Sequence, residues 1–199
     1  MELKQRIVLE ASELFLKQGV RNVTMNDLAK HLGISKRTIY EQLSDKNELV
    51  ALCIESLGAK SEKAIDVVIA NSSDVIEVLK NMLEYSIAFS ISSAGRFAEE
   101  VKKYYPQVFL GIVGKYHQKS IDRFSLLLVK GVEQNIFKPI KDPHVIGLVI
   151  SELSTMIHKS DSISKILTPE LTKWLTLSFI RGLCTQDGVK RIDDLISFD

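Results

Sequence analysis

The sequence predicts an all-α fold of about nine helices. Apolar residues recur at i, i+3, i+4 and i+7 along most of the chain, whereas no stretch shows the alternation typical of strands. Proline and glycine cluster at the boundaries between these periodic stretches. With 199 residues, of which 45% are hydrophobic, the chain is long enough to bury a sizeable core.

The predicted helices follow from capping residues, breakers and periodicity. Residues 135–142 and 160–164 read as loops, and residues 189–199 are expected to add only a short turn or to fray. In chain order the helices begin and end near residues 3–18, 24–32, 35–43, 46–70, 74–91, 95–105, 106–134, 143–159 and 169–186, and Asp187-Gly188 is expected to close the last of them.

The first three helices are expected to close one small core. Because about 45 residues is marginal for independent stability, this unit is expected to depend on the helices that follow it. The predicted core residues are Ile7, Ala11, Phe15, Leu28, Leu32, Ile39 and Leu43.

The stretch from Thr24 to Leu43, TMNDLAKHLGISKRTIYEQL, has the pattern of two helices joined by a tight turn. Thr24 with Asp27 forms a capping signal, Gly33 suits the left-handed conformation that ends a helix, and Ser35 caps the next helix. On that second helix Ile39 and Leu43 point inward. The outward residues are then Lys36, Arg37, Thr38, Tyr40 and Gln42.

This exposed face suits the major groove of DNA. Arg or Lys reaches guanine O6 and N7 there, and Thr contacts a thymine methyl group or a phosphate. Helix N-termini near Thr24, Ser35 and Lys46 offer unpaired amides to phosphates. The net charge is only +1, although residues 17–46 hold six bases against three acids, so DNA affinity must come from placement. These residues could also have no functional role. Lys36, Arg37 and Lys46 would then form a solvated charged face, and Tyr40 would occupy a half-buried core position.

The motif TMNDLAKHLGISKRTIYEQLSDKNELV resembles the TetR family of transcriptional regulators, with the resemblance strongest over residues 5–50. It implies a three-helix helix-turn-helix DNA-binding domain, residues 1–46, and a helical effector-binding and dimerisation domain, residues 47–199. It also implies a homodimeric protein, most often a repressor that a small-molecule effector releases from its double-stranded DNA operator.

By position, the resemblance assigns phosphate contacts to Thr24, Tyr40 and Lys46, and base contacts to Lys36, Arg37 and Thr38. Ser35 begins the reading helix. Gln42 and Leu43 depart from the family, which often has an aromatic residue or histidine followed by phenylalanine there. The phosphate contact from Gln42 and the corner packing of Leu43 therefore rest on this sequence alone.

A dimer also follows from DNA geometry, because one short helix reads only a few base pairs and two-fold pairing spaces two such helices by about 34–36 Å. Predicted helices 8 and 9 offer small residues beside large apolar ones, which permits close helix packing. The candidate interface residues are Gly147, Leu148, Ser151, Ser154, Trp174, Leu175, Ser178 and Gly182.

Aromatic and sulfur-containing side chains in predicted helices 5 to 7 are candidates for an effector pocket, although any helical core has the same composition. They are Met82, Tyr85, Phe89, Phe97, Phe109, Tyr116 and Phe124. No cofactor is expected.

An alternative function is a helical small-molecule-binding or enzymatic domain whose helix-turn-helix is only scaffold. No catalytic set can be assigned from the sequence, and the four histidines lack the i, i+4 spacing of a metal pair. Cys53 and Cys184 are expected to be buried apolar residues, which points to a reducing compartment. No signal peptide is recognisable at the start of the sequence, and no apolar run approaches the ~20 residues that span a bilayer, so a cytoplasmic protein is expected.

Overall fold

The computed structural model describes the backbone of residues 1–159 and 168–196, and within these ranges all side chains except those of Val113, residues 154–159, Pro169 and Ile196. The predicted loop at residues 160–164 lies outside the described residues. Ten helices, and no strand, occur in the described ranges: α1 Leu3–Gln18, α2 Met25–Leu32, α3 Lys36–Tyr40, α4 Lys46–Ala70, α5 Val75–Ile91, α6 Ser93–Tyr104, α7 Pro106–Glu133, α8 Pro143–Lys159, α9 Pro169–Leu183 and α10 Gln186–Ile196.

Helix starts follow the predicted caps. The Thr24 hydroxyl accepts the Asp27 amide while the Asp27 carboxylate accepts the Thr24 amide, which completes a capping box for α2. The Thr168 hydroxyl accepts the amide of Leu171 at the start of α9, where proline occupies the first turn. Local sequence therefore fixes where these helices begin.

The described chain groups into two compact units. Unit 1 comprises Met1–Ile65 and Ala88–Lys115, and unit 2 comprises Asp66–Ile87 and Tyr116–Asp199. The boundaries fall inside α4, α5 and α7, so each of these helices contributes residues to both units. The predicted division after residue 46 lies within unit 1.

Unit 1 has one apolar core around the first three helices, and all seven predicted core residues are buried in it. As expected, this core also needs later residues. Leu49 and Val50 of α4 are buried in it, and Phe97 of α6 stacks on Phe15 with ring centroids 5.7 Å apart. Val101, one turn further along α6, is fully buried.

Unit 2 has a separate core in which Leu177, Ile192 and Val75 are fully buried. Gln134 joins the end of α7 to the start of α5, because its side-chain oxygen accepts the Val75 amide at 3.0 Å and its nitrogen donates to the Ser73 carbonyl. This bond satisfies one of the unpaired amides at the start of α5.

Two helices differ from the prediction. α3 ends at Tyr40 rather than near Leu43, and beyond it the Gln42 amide bonds to the Ile39 carbonyl three residues back, which is a tighter turn than that of an α-helix. Most of the carboxyl-terminal residues that were expected to fray instead belong to α10. Asp187 and Gly188 lie in the first turn of this helix and do not close α9. A Cβ on Gly188 would lie 2.1 Å from the Ile136 carbonyl oxygen, so glycine serves a close contact there.

None of the helices in the described part of the chain combines the length and the apolar character that crossing a membrane requires.

Candidate nucleic-acid interface

Helix α3 has one buried side and one open side. The Ser35 hydroxyl caps it by accepting the Thr38 amide at 3.0 Å, and it lies 2.8 Å from the Thr38 hydroxyl. Ile39 is fully buried. On the other side the exposed residues are Ser35, Lys36, Arg37, Tyr40 and Glu41, and Thr38 and Gln42 are half-buried. The helix thus presents its predicted reading side away from the core of unit 1.

The two cations on this side, Arg37 and Lys36, each contact a side chain of the same helical segment. Arg37 donates to the Glu41 carboxylate at 3.1 Å, although the Arg37 side chain is 89% exposed. The Lys36 ammonium lies 5.7 Å from the centre of the Tyr40 ring. Because exposed pairs of this kind are weak, both cations can exchange these partners for an anion. Arg37 and Glu41 are four residues apart, the spacing at which opposite charges on a helix pair, so this ion pair could have been predicted from the sequence.

The corner between α2 and α3 is fixed by backbone geometry. Gly33 adopts φ +67°, and its amide bonds to the carbonyls of Ala29 and Lys30. The next amide, of Ile34, also returns to Ala29. At the other end of α2 the Thr24 hydroxyl donates to Asp27 at 2.6 Å, and these bonds lower the pKa of the Asp27 carboxyl. Thr24 is exposed, so it lies where a phosphate can approach.

The first turn of α4 places Lys46 differently from the other candidates. Its ammonium donates to the Val20 carbonyl at 2.6 Å and lies 5.9 Å from the centre of the Phe15 ring. Burial lowers the pKa of this ammonium, and the nearby Asp27 carboxylate opposes that shift. In this structure the Lys46 ammonium therefore has its hydrogen-bond partner inside unit 1.

The candidate pocket residues are divided between the two units. Phe97 is buried in the core of unit 1 and Phe109 packs on that core, whereas Phe124 packs on the core of unit 2. Met82, Tyr85, Phe89 and Tyr116 are half-buried. A small groove in unit 2 is lined by other residues: Lys80, Leu83, Glu84, Ile87, Lys173, Leu177 and Leu195. The effector assignment stays a prediction.

The candidate interface residues divide into open and enclosed positions. Leu148, Trp174 and Leu175 are 37%, 44% and 43% exposed, which is high for large apolar side chains. Gly147 instead faces α7, since a Cβ there would lie 2.6 Å from the Ser125 hydroxyl, and Ser151 is buried. Ser178 is half-buried, Gly182 is exposed, and the side chain of Ser154 lies outside the described residues. Further exposed apolar residues on α8 and α9 are Val145, Val149, Leu153 and Leu171.

One polar chain in unit 2 has the residue types of a hydrolase triad. The Ser151 hydroxyl lies 3.3 Å from His117 Nδ1, and His117 Nε2 lies 3.1 Å from the Glu152 carboxylate. Ser151 is only 3% exposed and stands inside α8, so a substrate carbonyl has no approach to its oxygen. The arrangement fits a structural bond between α7 and α8. Within the described ranges, no three or more His, Cys, Asp or Glu residues form a group suited to a metal ion.

Comparison with known proteins agrees with this geometry. Residues 7–53 match the model of the bacterial regulatory proteins, tetR family. A helix-turn-helix-type transcriptional regulator of Staphylococcus aureus is 31% identical over 99 residues, which cover 46% of this chain and 50% of the relative. The counterpart from another S. aureus strain is 32% identical over 97 residues. The chain spans about half the length of these curated relatives.

Solved structures extend the similarity to the whole fold. A TetR-family regulator from Marinobacter aquaeolei superimposes with a TM-score of 0.67 at 17% identity and covers 98% of both chains. RolR without ligand gives a TM-score of 0.63 at 19% identity, covering 95% of this chain and 94% of its own. A TetR-family regulator from Agrobacterium tumefaciens gives 0.66 at 15% identity, covering 92% and 97%.

Proposed function

The chain belongs to the TetR family of transcriptional regulators, and we propose that it is a repressor that binds its operator as a homodimer and leaves it when a small molecule binds. We propose a functional division near residue 46, with DNA reading before it and effector binding and dimerisation after it. The proposal rests on one observation. The open side of α3 carries Lys36, Arg37 and Tyr40, while its opposite side is buried in the core.

Each polar side chain of the proposed interface has a role that its position supports. Lys36, Arg37 and Thr38, in the first turns of α3, face base edges in the major groove. Thr24, Ser35, Tyr40 and Gln42 border that side and contact phosphates, which fix the register of α3 on the duplex. Arg37 exchanges Glu41 for a guanine, because its planar fork matches O6 and N7.

The exposed apolar sides of α8 and α9 support pairing with a second copy of the chain. Leu148, Trp174 and Leu175 lie on these sides, and large exposed apolar surface often marks an interaction site. A two-fold interface uses the same surface on both copies and repeats the reading helix with the symmetry of the operator. Gly147 and Ser151 contribute indirectly, because they hold α8 against α7.

Release requires an effector that binds two states of the protein with different affinities. We propose that the effector tilts α4 and so changes the spacing of the two reading helices. α4 supports this role because its residues up to Ile65 belong to unit 1 and its last residues to unit 2.

Electrophoretic shift with fragments of the source genome tests the proposal. We expect a small set of fragments to be retained at 150 mM salt, and their affinity to fall steeply as salt rises. A chain that retains all fragments equally, or none, would contradict operator recognition and favour the small-molecule-binding or enzymatic alternative. An effector that binds but leaves operator affinity unchanged would contradict release.

A further inference from the structure

In the short connection between α1 and α2, the backbone of Val20 forms hydrogen bonds to side chains from two other helices. The Val20 amide donates to the Glu100 carboxylate of α6 at 2.6 Å, and the Val20 carbonyl accepts the Lys46 ammonium of α4 at 2.6 Å. Val20 itself is fully buried. Both polar atoms of one buried peptide residue therefore bond to charged side chains, which make stronger hydrogen bonds than neutral partners.

The residues on either side of Val20 are adapted to the same contact. Gly19 adopts φ +85°, and a Cβ there would lie 2.8 Å from a carboxylate oxygen of Glu100. Glycine thus permits both the backbone conformation and the approach of the carboxylate. On the other side, the Arg21 guanidinium lies 5.0 Å from the centre of the Tyr104 ring, one turn beyond Glu100 on α6.

Helix α6 is itself held firmly on α1. Phe97 stacks on Phe15, and Phe97 and Val101 are 3% and 0% exposed. The carboxylate of Glu100 is therefore presented from a fixed support. Since α2 begins only a few residues after Val20, a displacement of this residue would be passed through a short connection to Thr24 and the first turn of α2.

We infer that Glu100 is a positioning residue for operator binding, and that Lys46 shares this role. Glu100 does not contact DNA. It holds Val20, and through Val20 it sets the start of α2 against the reading helix α3. This inference rests on the proposed function, because it concerns the affinity of that same DNA interface.

The test compares Glu100→Ala and Glu100→Gln with a control on the same helix, Glu99→Ala. Glutamine keeps an oxygen that accepts the Val20 amide, whereas alanine leaves that amide without its partner. Glu99 is exposed and pairs with Lys102 across 3.7 Å. The measurements are affinity for an operator fragment selected with the unaltered chain, hydrogen exchange at the Val20 amide, and the unfolding temperature.

We expect Glu100→Ala to weaken operator binding about tenfold and to speed exchange at Val20 by a similar factor. We expect Glu100→Gln to stay within about threefold of the unaltered chain, and Glu99→Ala to be indistinguishable from it. Unaltered operator affinity in a folded Glu100→Ala variant would overturn the inference. If that variant does not fold, a tenfold loss of affinity in Glu100→Gln, with Val20 still protected, would overturn it.

A variant of Lys46 separates positioning from phosphate contact. Lys46→Ala should lower operator affinity without changing the slope of affinity against salt, because a lost phosphate contact would reduce that slope by about one. A reduced slope would overturn the shared role of Lys46. If the unaltered chain selects no operator, the proposed function fails, while exchange at Val20 in Glu100→Ala still decides whether Glu100 holds that amide.

Discussion

The carboxylate of Glu48 accepts hydrogen bonds from both the amide and the hydroxyl of Ser44, at 2.7 and 2.8 Å. It also accepts the Lys4 ammonium of α1 at 2.7 Å. These bonds, that of Lys4 first and then those of Ser44, lower the pKa of Glu48 from 4.5 to about 2. One charged side chain thus closes the start of α4 and ties it to α1.

Stability should therefore depend on pH through Glu48. Its pKa is lower in the folded than in the unfolded chain, so the carboxylate stabilises the fold fully above about pH 4.5 and ceases to do so as pH falls through about 2. Glu48→Gln removes the titrating group. We expect the variant to melt below the unaltered chain at pH 7, and the two melting temperatures to converge between pH 4.5 and pH 2 in thermal scans.

Glu13→Gln provides the control, because Glu13 is exposed and pairs with Lys17 across 3.5 Å. It should show no such convergence. A constant difference between Glu48→Gln and the unaltered chain from pH 7 to pH 2 would contradict the assigned role.

Operator affinity should depend on the open side of α3. Arg37→Ala is expected to weaken binding by about 10- to 100-fold, the range for a lost base contact, and adding Tyr40→Ala should weaken it further. Both side chains are exposed, so the unfolding temperature should change little. Fluorescence anisotropy with a labelled operator measures these affinities.

Lys190→Ala is a matched loss of positive charge, since Lys190 on α10 is 80% exposed. It should leave operator affinity unchanged. An equal loss of affinity in Lys190→Ala and Arg37→Ala would mean that bulk charge, rather than α3, accounts for binding.

Pairing of two chains should depend on the exposed apolar side of α9. Trp174→Glu places a charge where we propose a second copy packs, and a buried unpaired charge is costly. We expect a monomer in sedimentation equilibrium and a loss of operator affinity. Leu126→Glu is the control, because Leu126 on α7 is 71% exposed. A dimeric Trp174→Glu variant would place the interface elsewhere.

Both cysteines should be inert in the folded chain. Cys53 and Cys184 are each 1% exposed, and burial raises the pKa of each thiol to about 11. The thiolate is the reactive form, so we expect no reaction with Ellman's reagent at pH 8 until denaturant is added. Fast labelling of either thiol in the native chain would show that its surroundings open.

Sequence was most informative where structure is local. The caps at Thr24, Ser35 and Thr168 and the turn at Gly33 lie within a few residues of the groups they bond, and the predicted helices begin where these caps do. The burial of Ile39 and the exposure of Arg37 follow from the same helical period. This part of the site was therefore predictable.

Contacts between distant residues were not predictable in this way. The bond between Glu100 and Val20 joins residues 80 positions apart, and nothing in the neighbourhood of Glu100 distinguishes it from the adjacent Glu99. Helix α10 did leave a signal, because Thr185 accepts the Gly188 amide and Val189 and Ile192 continue a helical period. Glycine was read there as a terminator, whereas close packing against the Ile136 carbonyl is what requires it.

The stacking of Phe97 on Phe15 bears on how this chain can be recombined with its relatives. A hybrid made by exchanging only the first 46 residues would bring a foreign partner against Phe97 and leave a mismatched surface on α1. Grafts that transfer α6 together with the amino-terminal helices keep both rings and preserve their complementarity. On the function proposed above, new operator specificities are therefore best engineered on α3 itself, within an otherwise intact chain.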